Sequence, residues 1–116
     1  MNTKPEIHFI SEDNFEAAII CEKEPVLLLC LQHDDQFVQQ INIVTVTVSK
    51  YRGPLKIGLL EESFIVPFKK KYHVLGTPTF LILQEGKEKN RSLGLTDEQM
   101  LNALIADACP APHDVL

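Results

Sequence analysis

The chain of 116 residues has no tryptophan and three cysteines, Cys21, Cys30 and Cys109. No two of them form a C-x-x-C pair. An odd number at wide spacing builds no disulfide framework and fits a reducing compartment, where thiols stay free. Basic residues are also scarce, 11 against 16 acidic ones, for a net charge of -5. That balance argues against nucleic-acid binding through phosphate neutralisation. The one dense basic run, Lys69-Lys70-Lys71, reads as a solvated helix face. No apolar stretch approaches the roughly 18 residues of a membrane span. The opening MNTKPEIHFISEDNF carries early acidic residues and no sustained apolar segment, so no signal peptide is expected. A cytoplasmic setting follows, with neither membrane nor nucleic acid as partner. No P-loop, dinucleotide glycine pattern or nucleophile elbow occurs, and nothing suggests a hydrolase or a cofactor.

What is present is the material of one globular core, with 45% hydrophobic and 23% charged residues. A chain of this length buries such a core without disulfides or metals. Residues 7–10 read as a short strand. Ser11 offers an N-cap with Glu12 and Asp13 in a first helical turn, and the helix stops before Pro25. Residues 26–31 are unbroken and apolar, as in a strand covered on both faces. Residues 43–48 have the composition of a strand. The wider spacing of Phe37, Ile41, Val44, Val48 and Tyr51 is helical. The β-branched residues cost only a few tenths of a kcal/mol each in a helix, so a helix over 36–51 is expected. Arg52-Gly53-Pro54 ends it.

A second buried strand is expected at 55–60. A short helix follows at 63–72, with Pro67 in or near its first turn. A strand at 79–83 turns through Glu85-Gly86-Lys87 into another at 88–93. Thr96 and Gln99 match a capping box for a last helix, whose apolar face holds Met100, Leu101, Leu104, Ile105 and Ala108. The single domain is expected to span 1–108, with 109–116 as a loose tail. The order is β-α-β-α-β-α-β-β-α, an α/β fold with a mixed central sheet flanked by helices.

That order resembles thioredoxin, and one segment makes the likeness specific. Lys71-Tyr72-His73-Val74-Leu75-Gly76-Thr77-Pro78-Thr79-Phe80 is similar to the stretch that precedes the family's fourth strand. The resemblance implies that Pro78 is cis and faces the active-site loop. Glu24-Pro25-Val26-Leu27-Leu28, Tyr51-Arg52-Gly53, Gly86 and Gly94 extend the likeness along nearly the whole chain.

The centre departs from it. Thioredoxins carry Trp-Cys-x-x-Cys after the central strand. Here those cysteine positions fall at Asp35 and Val38 or, in a register one residue earlier, at Asp34 and Phe37. The family's buried acid falls at Leu28 or Leu29. Dithiol exchange needs an attacking thiolate and a resolving thiol, and this chain has neither at that place.

The polar replacements lie in LLLCLQHDDQFVQQ, residues 28–41. Cys30-Leu31-Gln32-His33 offers a single thiol near an imidazole, but Cys30 lies inside the apolar run and reads as a core residue. A metal site from Cys30, His33, Asp34 and Asp35 lacks paired ligand spacing, although His73 stands near the expected proline loop. Asp34 and Asp35 read as a helix N-cap and first-turn residue rather than paired catalytic acids. The expectation is a redox-inactive protein- or peptide-binding adaptor or chaperone-like assembly factor. Its groove would hold His33, Asp34, Asp35, Gln36, Gly76, Thr77 and Pro78. The alternative is a single-cysteine oxidoreductase or redox sensor using Cys30 or Cys21.

Overall fold

The computed structural model describes residues 5–109. Five strands form one sheet: β1 (Ile7–Ile10), β2 (Val26–Cys30), β3 (Lys56–Leu60), β4 (Thr79–Gln84) and β5 (Lys87–Leu93). Their order across the sheet is β1-β3-β2-β4-β5. β3 runs parallel to both β1 and β2. β4 is antiparallel to β2, and β5 to β4. Three α-helices cover the sheet: α1 (Phe37–Lys50), α2 (Glu62–Tyr72) and α3 (Glu98–Ala108). The expected order of elements is the observed one, except that the first helix is a π-helical turn, Glu16–Ile20.

β2 is buried at every position because apolar layers cover both of its faces. Leu28 and Cys30 pack with Ile19, Phe64 and Phe68 on one side. Leu27 and Leu29 pack with Val44, Val48, Leu101 and Ile105 on the other. Each such leucine contributes about 1.5–3 kcal/mol by leaving water. The same layer decides the conflict over residues 43–48. As a helix, α1 buries Val44 and Val48 against the sheet. Thr47 is buried as well and donates its hydroxyl to the Ile43 carbonyl at 2.7 Å. Packing outweighs the weak β-propensity.

Several local expectations are corrected. Ser11 caps no helix. Asn14 reaches back instead: its Oδ1 accepts the Ser11 N–H at 2.8 Å and its Nδ2 donates to the Phe9 carbonyl at 2.9 Å. These bonds occupy backbone groups at the end of β1, a strand at the sheet's edge, where open groups invite another chain. Pro67 lies beyond the first turn, because α2 begins at Glu62. Pro67 and Ser63, four residues earlier, are both exposed, so water can serve the carbonyl that the missing N–H leaves open. The cap of α3 is Asp97, whose Oδ1 accepts the Met100 N–H at 2.8 Å. Thr96 is displaced from that role because it is buried and its backbone is held elsewhere.

The β4–β5 turn falls where expected but is one residue shorter, because Lys87 already belongs to β5. Glu85 and Gly86 both have positive φ, and Gln84 pairs with Lys87 across a two-residue loop. Cys109 does not belong to a loose tail. It is buried in the α1–α3 layer, and its carbonyl accepts the Tyr51 hydroxyl at 3.0 Å. Residues 110–116 of the expected tail, like 1–4, lie outside the described residues.

Candidate functional site

Pairing in the sheet positions the site. Cys30, the last residue of β2, lies opposite Thr79, the first of β4. The loop leaving β2 and the loop entering β4 are therefore neighbours. The Thr77–Pro78 peptide bond is cis. Asp34, Gln36, Phe37, Gln40 and Pro78 line one small pocket between the two loops.

The first loop is organised by its own backbone. The Asp34 N–H donates to the Gln32 carbonyl at 2.9 Å, and the Phe37 N–H to the Asp34 carbonyl at 3.1 Å. Asp34 Oδ1 accepts the Gln36 N–H at 3.0 Å, a local turn of the kind aspartate favours. This corrects the reading of Asp34 and Asp35 as cap and first-turn residues. The helix begins at Phe37 with Gln36 at its N-cap position, so both aspartates precede it. The His33 ring tilts against Phe37 at 4.3 Å between centroids. Its Nδ1 is 3.9 Å from Glu62 Oε1, and both side chains are exposed, so the pair is weak. His33, Asp34, Asp35 and Gln36 all face solvent.

The second loop is half-buried at Gly76, Thr77 and Pro78. Thr79 Oγ1 donates to the Gly76 carbonyl at 2.7 Å, and the Gly94 N–H to the Pro78 carbonyl at 2.8 Å. These bonds hold the loop on both sides of Thr77. The backbone N–H and carbonyl of Thr77 have no hydrogen-bond partner among the described residues.

Cys30 is fully buried, in the sheet layer that faces α2. Burial pushes its thiol up to about 11, although Lys69 pulls in the opposite direction. The thiolate needed for nucleophilic chemistry is therefore disfavoured. Leu28 and Leu29, where the resemblance places a buried acid, are fully buried in apolar surroundings. Cys21 is exposed beside the start of β2, whereas both loops lie at its other end. His73 ends α2 in a left-handed conformation, with φ 56°, and its carbonyl accepts from Arg91. Among the described residues, no three His, Cys, Asp or Glu side chains gather as metal ligands would.

Two features of the site escaped the sequence reading. Gln40 is a polar residue outside the apolar spacing of Phe37, Ile41, Val44 and Val48, yet it is buried. Its Nε2 donates to the Thr96 carbonyl at 3.2 Å and its Oε1 accepts the Thr96 N–H at 2.9 Å. This two-point clamp joins the first turns of α1 to the approach of α3 and forms part of the pocket wall. The second is a set of exposed leucines. Leu75 is 86% exposed just before Gly76, and Leu93 and Leu95 flank Gly94. Adjacency to the two glycines was their one sequence signal.

The strand order, the helices on both faces and the cis-proline beside the β2 loop define a thioredoxin-like fold. No protein-family model and no curated protein matches the sequence. Solved structures do match. A mutant thioredoxin from Halobacterium salinarum NRC-1 aligns with a TM-score of 0.73 over 97% of this chain and 100% of that one, at 15% identity. The likeness establishes the fold. Among the described residues, no helix is long and apolar enough to cross a membrane.

Proposed function

We propose that this chain binds an extended protein or peptide segment and carries out no dithiol exchange, acting as an adaptor or chaperone-like assembly factor. The observation that carries this reading is the Thr77 backbone, unpaired among the described residues, beside a loop that bears His33, Asp34, Asp35 and Gln36 in place of thiols. An extended segment laid along Thr77 would gain main-chain hydrogen bonds by strand addition. Gly76 and Pro78 shape that edge. The exposed Leu75, Leu93 and Leu95 offer apolar contact beside it.

The thiol alternative has less support. Cys30 is fully buried and Cys21 lies away from both loops. A cytoplasmic setting suits the three free cysteines.

The test is affinity capture from native extract by the wild-type chain and by a variant carrying Asp34→Ala, Asp35→Ala and Thr77→Arg. The variant should still unfold in one cooperative thermal transition, lowered by no more than a few degrees, and lose the captured partners. Retention of the same partners would refute the groove. In an insulin-reduction assay the wild-type chain should show no more than background activity; turnover lost in Cys30→Ser or Cys21→Ser would favour the thiol alternative.

A further inference from the structure

The run Lys69-Lys70-Lys71 is divided by the fold. Lys71 folds back, with its ammonium 5.6 Å from the Phe15 ring centroid and 5.9 Å from that of Tyr72. Lys69 and Lys70 instead line a separate open pocket with Val66, His73, Val74 and Leu75. Val66, Lys69, Lys70 and His73 follow i, i+3, i+4, i+7 spacing and so share one side of α2. The core-facing residues Phe64, Ile65 and Phe68 occupy the other.

Two observations indicate what this pocket would take. Its walls hold large apolar side chains that water surrounds, Leu75 at 86% exposure and Val66 at 63%. Covering them would release apolar surface from water. Its rim is cationic, and neither lysine has a carboxylate partner among the described residues. Service to the helix end does not explain both lysines. Arg91 already donates to the carbonyls of Tyr72 at 2.8 Å and His73 at 3.1 Å, held in turn by Glu88 at 2.7 Å. Those bonds also fix the backbone that leads through Leu75 to the proline loop.

We infer that this pocket receives an apolar side chain of the bound peptide, with adjacent Asp or Glu residues meeting Lys69 and Lys70. This inference rests on the reading of the Thr77 edge as a peptide groove, and it names the chemistry of the segment that binds there. Apolar contact supplies the anchor, and charge complementarity selects acidic neighbours over basic ones.

The experiment selects a random twelve-residue peptide library on the immobilised wild-type chain. The most enriched peptide is then labelled with fluorescein and titrated by anisotropy. The enriched peptides should carry Asp or Glu within two positions of a Leu, Ile, Val or Phe. Lys69→Glu combined with Lys70→Glu should weaken the labelled peptide about tenfold, and Lys71→Glu less than twofold. Thr77→Arg should also weaken it. Enriched peptides without acidic residues would overturn the inference. So would binding unchanged in the Lys69→Glu, Lys70→Glu variant but lost in Thr77→Arg, an outcome that leaves the groove standing. Sensitivity to Lys69 and Lys70 without sensitivity to Thr77→Arg would support the pocket and refute the groove. Enrichment of nothing would overturn both.

Discussion

β2 and the loop that follows it are adjacent in sequence and opposite in character. From Val26 to Leu31 every residue is buried; from Gln32 to Gln36 every residue is exposed. The strand is held from both faces, so each side chain there is constrained by packing. The loop is held by backbone hydrogen bonds and one aspartate, so its other side chains are free to vary without disturbing the fold. A scaffold of this kind can change the side chains of this loop while keeping its shape. The strand still delivers the loop to Pro78, whatever the loop carries.

Substitutions on the two sides of that boundary should differ widely. Leu29→Ala leaves a cavity in the α1–α3 layer and should cost about 2–5 kcal/mol in denaturant unfolding. A loss below about 1 kcal/mol would show that the strand is only loosely packed. Gln40→Ala strips two hydrogen bonds from the buried backbone of Thr96 and should cost about 2–3 kcal/mol. It should also perturb amide resonances at the start of α3, a readout of the clamp itself.

Cys30 sharpens the contrast through pH. Its thiol ordinarily titrates near 9 and is raised to about 11 in the fold. The unfolded chain therefore loses this proton first. The stabilisation is fully present below about pH 9 and is lost as pH rises to about 11, a change on the order of 2 kcal/mol. Unfolding free energy measured against pH should fall more steeply over that window in wild type than in Cys30→Ala. Equal slopes would contradict the raised value. At pH 8 a thiol reagent should modify Cys21 in the native chain and reach Cys30 only on unfolding.

The loop should give the smallest effects on stability. Asp34→Ala removes one exposed turn bond and should cost about 0.5–1 kcal/mol. Asp35→Ala should change thermal stability by less than about 0.5 kcal/mol. A larger cost for Asp35→Ala would mean that the loop is structurally coupled rather than merely displayed.

Much of this architecture follows from the chain alone. The apolar run of β2, the 3.6-residue spacing beneath the β-branched composition of α1, and the Glu85-Gly86 turn each express a local rule. The resemblance around Gly76-Thr77-Pro78 located the proline loop, and the absence of paired cysteines was plain from the sequence. Other features needed the folded chain. Gln40 and Thr96 are 56 residues apart, and no periodicity announces their clamp. That clamp explains why Asp97 rather than Thr96 caps α3. Asn14 displaced Ser11, Cys109 joined the core, and one lysine run was divided between an aromatic cluster and an open pocket. Periodicity records which face of an element is buried, because each residue's burial repeats with the geometry of its own helix or strand. A polar side chain's partner is set by what packing brings within about 3 Å of it, and only the tertiary structure decides that.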